Sequence, residues 1–293
     1  MARSKRNILS RVVPPLLLGG SFIALTVLEH RRPLRPEREP KMVRLARNIA
    51  IAVLSAAVVS RLDRPLVVPA ARFVERRRWG LLLRIPLPPT VRGVIGVVLL
   101  DYTMYLWHIL LHRVPWLWRF HVVHHADLDL DASTALRFHF GELALSVPWR
   151  LAQIALLGIT PGTLLASQRL LFLSVLFHHS KVRLPIAMER IVNRVVVTPR
   201  MHGIHHSIVP EETNSNWSSG LTVWDLLHGT ARLNVPQDAI TIGVPAYREP
   251  ADVTFTRMVA LPFEHQPSWR QLPGTSEEPP PHVIDLPPTH LLP

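Results

Sequence analysis

Histidine spacing is the feature that most limits what this chain can fold into. Eleven of its 16 histidines lie between positions 108 and 206. Ten of these form four clusters, which read His108-x3-His112, His121-x2-His124-His125, His178-His179 and His202-x2-His205-His206. Side chains three or four positions apart lie on one face of a helix. Each longer cluster can therefore direct two or three imidazoles the same way, and packed helices that carry them can surround a shared centre.

The clustered imidazoles predict metal binding. Neutral imidazole is a standard ligand of zinc, iron, copper and nickel, and so many rings indicate more than one ion. Two H-x-x-H-H groups in one chain favour metal ligation over a purely structural role. Isolated histidines are more often hydrogen-bonded or solvated, and five are interpreted in that way: His30, His228, His265, His282 and His290.

Charge and hydropathy point to a membrane rather than to nucleic acid. The 293 residues carry a formal net charge of +12, and 48% of them are hydrophobic. The arginine-rich runs border apolar segments and contain no recognised nucleic-acid motif, so we expect no nucleic-acid partner. Anionic lipid headgroups are the expected counter-charge. Because the chain has no cysteine, it cannot form disulfides, thiolate-held iron–sulfur clusters or cysteine zinc sites.

Several apolar segments resemble membrane helices. The first, 12–28, follows a basic start and is not followed by a small-residue cleavage site, which predicts a retained anchor. Further apolar runs cover 49–59, 91–112, 143–159 and 163–177. We therefore expect an integral membrane protein, located in a bacterial inner membrane with its site facing the cytoplasm.

The chain divides into three predicted regions. Residues 1–90 are expected to form N-terminal membrane helices and basic loops, and residues 91–235 a catalytic domain. Residues 236–293 are rich in proline and lose helical periodicity, so we expect a partly disordered tail, above all from 276 onward. The predicted fold is all-α, with integral membrane helices and a cytosol-facing helical cap that holds a histidine-rich dimetal site.

The residues around the histidines form a specific series of blocks. In chain order they are DYTMYLWH (101–108), HRVPWLWRFH (112–121), VHH (123–125), TALRFHFGE (134–142), FHHS (177–180), TPRMHGIHHS (198–207), NxNW (214–217) and WDLLHGT (224–230). In order, spacing and flanking residues, this series resembles the sterol desaturase and fatty acid hydroxylase superfamily of membrane di-iron oxygenases. The resemblance covers about 101–230 and is weaker at 29–34.

The resemblance implies a ligand set. The implied metal ligands are His108, His112, His121, His124, His125, His202, His205 and His206, with His179 as an additional ligand. His139 lies in a recurrent block and is expected to be a ligand or the neighbour of one, whereas His178 stands where the family often has a non-ligand. Lys181 and His228 depart from the family, which commonly has asparagine and an aromatic residue at these positions.

Carboxylates near the clusters are candidates for orienting the imidazoles. A carboxylate can accept the second ring N–H of a metal-bound histidine. We favour Asp101 and Glu142 for this role and predict them as catalytic residues. The run from Asp127 through Asp129 to Asp131 is more typical of a solvated loop or of a helix N-terminus.

The implied activity is O2-dependent hydroxylation or desaturation of a lipid, such as a sterol, fatty acyl chain, carotenoid or ether lipid. Two iron ions would activate O2, because side chains alone cannot attack an unactivated C–H bond. The chain has neither a thiolate cluster nor an evident flavin fingerprint, so we expect an external electron donor or reductase. The substrate is expected to arrive from the membrane.

Two other functions fit the same histidines. A metal-transport protein would place its ligands near the bilayer midplane, whereas these clusters lie at helix ends beside charged residues. A zinc-dependent membrane hydrolase would use a metal-bound hydroxide, and zinc binds imidazole more tightly than ferrous iron does. Metal uptake would identify the transporter, and metal content with O2 dependence would separate the hydrolase from the oxygenase.

Overall fold

The computed structural model describes residues 2–272 and 274–282, and the regular elements in this part of the chain are all helices. The helices are α1 Ala2–Arg31, α2 Lys41–Val58, α3 Arg64–Arg77, α4 Leu81–Arg84, α5 Pro89–Arg113, α6 Pro115–His125, α7 Phe140–Leu157, α8 Pro161–His179, α9 Ile186–Val192, α10 Pro199–His205, α11 Pro210–Thr213, α12 Val223–Leu227 and α13 Phe255–Ala260. A π-helical turn, Val59–Asp63, joins α2 to α3. Extended pairing in the described residues is limited to isolated bridges. The all-α prediction is confirmed.

Proline sets where the helices of the site begin. Helices α5, α6, α8 and α10 start at Pro89, Pro115, Pro161 and Pro199. The fixed φ of proline suits the first helical turn, where its missing N–H is not needed for a helical hydrogen bond. The α5–α6 corner is the sharpest case, because Val114 alone separates the two helices and is extended. The local sequence therefore brings the C-terminal end of α5 directly against α6.

Two helical stretches are long and apolar enough to cross a bilayer. They are Lys41–Arg84 and Pro89–Arg113, each with a mean hydropathy of 1.7 over its most apolar window. Most of each window is exposed to the surroundings, and Val53 and Val94 are 66% and 60% exposed. Large apolar side chains that face outward in this way are expected to contact lipid. The fold is that of an integral membrane protein with a histidine-rich cluster.

One apolar core ties the long helices together beneath the histidines. Helices α3, α4, α5, α7 and α8 contribute buried side chains to it, among them Val67, Leu100 and Ile154. Gly80 has a φ of +92°, and a Cβ at this position would collide with the backbone at Gly158. The start of α4 can therefore touch the end of α7 only because both residues are glycines. This core packs α5 and α8, two of the four helices that carry the site, against the rest of the bundle.

Part of the proline-rich region after 235 packs against α6. Val244, Tyr247, Met258 and Leu261 are buried against α6, next to Trp118. Turns and short helical segments bury these side chains one at a time, which leaves no periodicity for a sequence pattern to reveal. His282, in the expected disordered part, places Nδ1 2.9 Å from Oε1 of Glu212. Residues 283–293 lie outside the described part of the chain.

A buried ion-pair network joins α2 to the loop after α6. Arg44 Nη1 lies 3.1 Å from Asp127 Oδ2, and the same guanidinium contacts Asp131. Asp129 accepts hydrogen bonds from the backbone N–H groups of Arg38 and Glu39. All three aspartates are buried, so the interpretation of this run as a solvated loop or helix N-terminus is wrong. Its partners lie some 80 residues earlier in the chain and cannot be seen in the local pattern.

We expect Asp127→Ala to lower the free energy of unfolding by about 3 kcal/mol, because the buried guanidinium groups of Arg44 and Arg47 each lose one of their carboxylate partners. Burial raises the pKa of Asp127, but Arg44, Arg137 and Arg47 lower it overall. The stabilisation is complete above the ordinary carboxyl pKa of 3.8 and is lost as the pH falls below it. Thermal unfolding in detergent at neutral pH measures the effect. Glu278→Gln, which breaks an exposed pair with Arg270, is the control and should change stability by less than about 1 kcal/mol.

Candidate metal centre

Four helix ends bring the histidine clusters together. His108 and His112 lie near the end of α5, and His121, His124 and His125 on the last two turns of α6. Helix α8 ends at His179, and α10 carries His202 and His205, with His206 directly after it. The side chain of Thr198 caps the start of α10 by accepting a hydrogen bond from the N–H of Met201. The rings therefore meet inside the protein, where the four chain segments converge.

The rings separate into two groups of four. In each group, one nitrogen from every ring lies within 4.8 Å of the others. The first histidine group contains His108, His112, His125 and His205, and the second histidine group contains His124, His179, His202 and His206. All eight side chains are buried. The rings of His125 and His206 stack with centroids 4.2 Å apart, so the two groups share a wall.

Nitrogen atoms of the second group face one another at short range. His179 Nε2 lies 2.9 Å from His124 Nε2 and 3.0 Å from His202 Nε2. His202 Nε2 lies 3.1 Å from His206 Nε2. Ligands at ordinary metal–nitrogen distances in a tetrahedral site stand about 3.3 Å apart. The spacing of these four nitrogens is thus close to that of a shared ion.

The first group is marked by buried nitrogens that lack a hydrogen-bond partner. Both ring nitrogens of His112 and of His125, and Nε2 of His205, make no hydrogen bond in the described structure. Buried polar atoms are rarely left in this state unless a water or an ion satisfies them. A bound metal would satisfy one nitrogen of each of these rings at once. The donor set, which is entirely imidazole, fits iron, zinc or copper.

The electrostatics hold the rings neutral, as ligation requires. Burial, with neighbouring imidazoles as a second cause, lowers the pKa of His125 and His206 well below the ordinary value of 6.5. Burial also lowers the pKa of His205 to about 3, although a hydrogen bond to the carbonyl of Ser215 opposes it. Each ring can therefore offer a lone pair at neutral pH.

Backbone carbonyls fix the tautomer of two rings in the first group. His108 donates through Nδ1 to the carbonyl of Trp217 at 2.7 Å. His205 donates through Nδ1 to the carbonyl of Ser215 at 2.8 Å. A carbonyl can only accept, so the proton must be on Nδ1 in both rings, and Nε2 is left with its lone pair for a metal. In the second group, His179 is held in the same way by the carbonyl of Val175 at 2.8 Å.

The loop that supplies the first two carbonyls is itself held by a buried carboxylate. Asp225 accepts hydrogen bonds from the N–H of Trp217 at 2.8 Å and of Ser218 at 3.0 Å. Asn216 lies in the left-handed region with φ of +51°, and its side chain donates to the carbonyls of Met201 and Arg232. Neither Asp225 nor Asn216 has a role that the sequence pattern predicts. The only signal was their place in the NxNW and WDLLHGT blocks.

His121 lies between the two groups without belonging to either. Its ring centroid is 4.9 Å from those of His112 and His125 and 5.3 Å from that of His124. Nδ1 of His121 is 3.2 Å from Oε2 of Glu142, and both side chains are buried. Glu142 thus lies where it can orient an imidazole of the site.

Three other candidates lie outside both groups. Asp101 accepts hydrogen bonds from the N–H of Leu221 at 3.0 Å and from the indole of Trp224 at 2.7 Å, so it holds the segment before α12. His139 caps α7 by accepting from the N–H of Gly141, and its Nε2 lies 3.2 Å from the carbonyl of Val259. His178 packs against His202 with ring centroids 4.1 Å apart.

Comparison with known proteins agrees with the geometry. The sequence profile of the fatty acid hydroxylase family matches residues 93–230. Ornithine lipid hydroxylase OlsE of Rhizobium tropici is 32% identical over 159 residues, which cover 54% of this chain and 46% of that protein. Human cholesterol 25-hydroxylase is 33% identical over 143 residues, covering 46% of this chain and 49% of its own length. Alkylglycerol monooxygenase of Xenopus tropicalis is 26% identical over 186 residues, covering 62% of this chain and 40% of its own.

The chain matches about half the length of these relatives or less. No solved structure matches it.

We expect Asp225→Asn to weaken metal binding by the first group by about tenfold or more, because the carbonyls that orient His108 and His205 lose their support. Competition with a chelator, followed by metal analysis, measures the loss. Ser174→Ala is a matched control, since its hydroxyl holds the carbonyl of Ser219 just beyond the loop. Equal metal retention in the two variants would contradict the assignment.

We expect the metal-free protein to lose stability as the pH falls below 6.5. The buried rings have lowered pKa values and stay neutral, whereas the unfolded chain takes up protons at the ordinary pKa of 6.5. The stability is therefore complete above this pH and declines below it. Thermal unfolding after chelation, followed from about pH 8 to about pH 5, tests this expectation. A flat profile would mean that the rings are not buried together.

Proposed function

We propose that this chain, whose residues 93–230 belong to the sterol desaturase and fatty acid hydroxylase superfamily, is a membrane-bound oxidoreductase that carries out O2-dependent hydroxylation of a lipid. Desaturation is the close variant. The observation that carries the proposal is the pair of buried four-histidine groups with a common wall. The names of the relatives support a lipid substrate, since those proteins are named for ornithine lipid, cholesterol and alkylglycerol.

We assign each histidine group one iron ion. His108, His112, His125 and His205 would hold the first, and His124, His179, His202 and His206 the second. His121, which Glu142 orients, is the natural additional ligand between them. Bound iron would supply the activation of O2 that side chains cannot provide. The support for iron rather than zinc is the relatives' oxygenase names, because the imidazole set itself suits both metals.

The residues of the chain position the site and shield part of it from water. The loop carbonyls of Ser215 and Trp217 hold two rings in one tautomer, so the protons of these two rings need not move when an ion binds. The indole of Trp217 is 1% exposed, and its ring lies 4.6 Å from that of His112. Burial of this kind strengthens the electrostatic contacts around the rings and limits side reactions with water on this side of the site.

Four further proposals concern the catalytic region, Asp101, the electron donor and the location of the protein. We propose that residues 91–235 contain the catalytic unit and that Asp101 supports it by holding the segment before α12 rather than by touching a ring. An external donor would supply electrons, because the chain has no cysteine to hold an iron–sulfur cluster. We place the protein in a bacterial inner membrane with the site on the cytoplasmic side.

We expect His205→Ala to abolish product formation, because it removes one ring from the first group together with its loop contact. The measurement compares lipid extracts of cells that express the wild type or the variant, with isotope-labelled O2 supplied. His265→Ala changes an exposed histidine that belongs to neither histidine group and is the control. The wild-type product should gain one labelled oxygen atom.

Unchanged lipids in cells with His205→Ala would reject catalysis by this site. A product that forms without O2, in a protein purified with zinc, would favour the hydrolase instead. Metal content after anaerobic purification therefore accompanies the lipid analysis.

A further inference from the structure

One cleft of about 610 Å³ reaches the candidate metal centre from outside. It lies between the start of α6, the segment 266–270 and the loop at Asn214, and His112 forms part of its wall. Neither ring nitrogen of His112 has a hydrogen-bond partner in the described structure. A second cavity, of about 510 Å³ beside Arg32 and Arg183, has no site histidine in its lining. The first cleft is therefore a direct approach to the first histidine group.

The lining of this cleft is positively charged. Arg113, Arg119 and Arg270 line it, and no carboxylate does so in the described part of the chain. Arg119 donates to the carbonyls of Pro262 and Glu264, and Arg270 pairs with Glu278 outside the cleft. Arg113 is exposed, stands 5.9 Å from the ring centroid of Trp217 and has no ion-pair partner among the described residues. A concave surface with charge of one sign concentrates ligands of the opposite sign.

The rim of the cleft has the composition of a membrane interface. Trp116, which lines the cleft, is 56% exposed, and Phe263 is 65% exposed. Phe120 joins them, with ring centroids 6.2 Å from Trp116 and 5.8 Å from Phe263. Aromatic side chains collect at the level of lipid headgroups. Helix α6 starts two residues after the membrane-length helix α5 ends, which places this rim beside the bilayer surface.

We propose that this cleft binds the anionic headgroup, a phosphate or a carboxylate, of the lipid on which the enzyme acts. Arg113 supplies the charge, and Trp118 and Trp269, whose ring centroids are 4.7 Å apart, form an apolar wall. This inference rests on the proposed function, because it assigns a substrate class to the same site. The concave shape and the exposed aromatic rim favour a lipid headgroup over an acidic electron-carrier protein, which would need a broad docking surface.

Direct binding of a short-chain lipid tests the proposal without turnover. The probes are dihexanoyl phosphatidylglycerol, dihexanoyl phosphatidylcholine and inorganic phosphate, titrated calorimetrically into the metal-loaded protein in non-ionic detergent at low salt. We expect the net-negative phosphatidylglycerol to bind about tenfold more tightly than the phosphatidylcholine. Arg113→Gln should remove this preference, and Arg113→Lys should retain most of it. Arg183→Gln, which alters the other cavity, is the matched control and should bind as the wild type does.

The outcomes separate this proposal from its rivals. Equal binding of the two lipids, or unchanged binding by Arg113→Gln with its metal content intact, would overturn it. Phosphate alone binding as tightly as the lipid would overturn the lipid assignment in favour of a free-anion site. If Arg113→Gln binds lipid normally but is reduced more slowly by an acidic electron-carrier protein, the surface would be assigned to that carrier instead. Lipid binding that survives in a wild type without oxygenase activity would reject the proposed function and leave the headgroup site supported.

Discussion

Neutral imidazoles buried against one another are the arrangement on which the rest of this structure depends. Eight rings from four chain segments lie in two groups, and a proton on any of them would place a charge among neighbours that cannot screen it. A metal ion shared within each group would give these lone pairs a common partner. The apolar core beneath, the proline-started helices and the carbonyls of Ser215 and Trp217 all hold the rings in that position.

The sequence predicted which histidines lie together on one helix better than it predicted which rings meet between helices. Spacing alone indicated that rings on one helix share a face, because this relation is local. It could not show that His124 and His125 belong to different groups, as do His205 and His206. Adjacent residues on a helix point about 100° apart, so which ring meets which depends on how the helices cross. Only tertiary packing decides that.

The carboxylates illustrate the same limit. Asp101 was expected to orient a ring and instead holds Leu221 and Trp224, while Asp127 was expected in solvent and is buried against Arg44. The partners lie between 83 and 123 positions away along the chain. A carboxylate's role is set by those distant partners, and one sequence without its fold gives no means of pairing them. Glu142, by contrast, lies beside a ring of the site, with its Oε2 3.2 Å from Nδ1 of His121.

Helix α5 connects the membrane to the site as one continuous rod. It has 25 residues, a length of about 38 Å, and its last turns carry two of the four rings of the first group but none of the second. A thinner or thicker bilayer is accommodated in part by helix tilt. Tilting α5 displaces His108 and His112 relative to rings mounted elsewhere. We therefore expect the separation between the two histidine groups to respond to hydrocarbon thickness, so that the lipid surroundings influence the candidate centre mechanically as well as by supplying substrate.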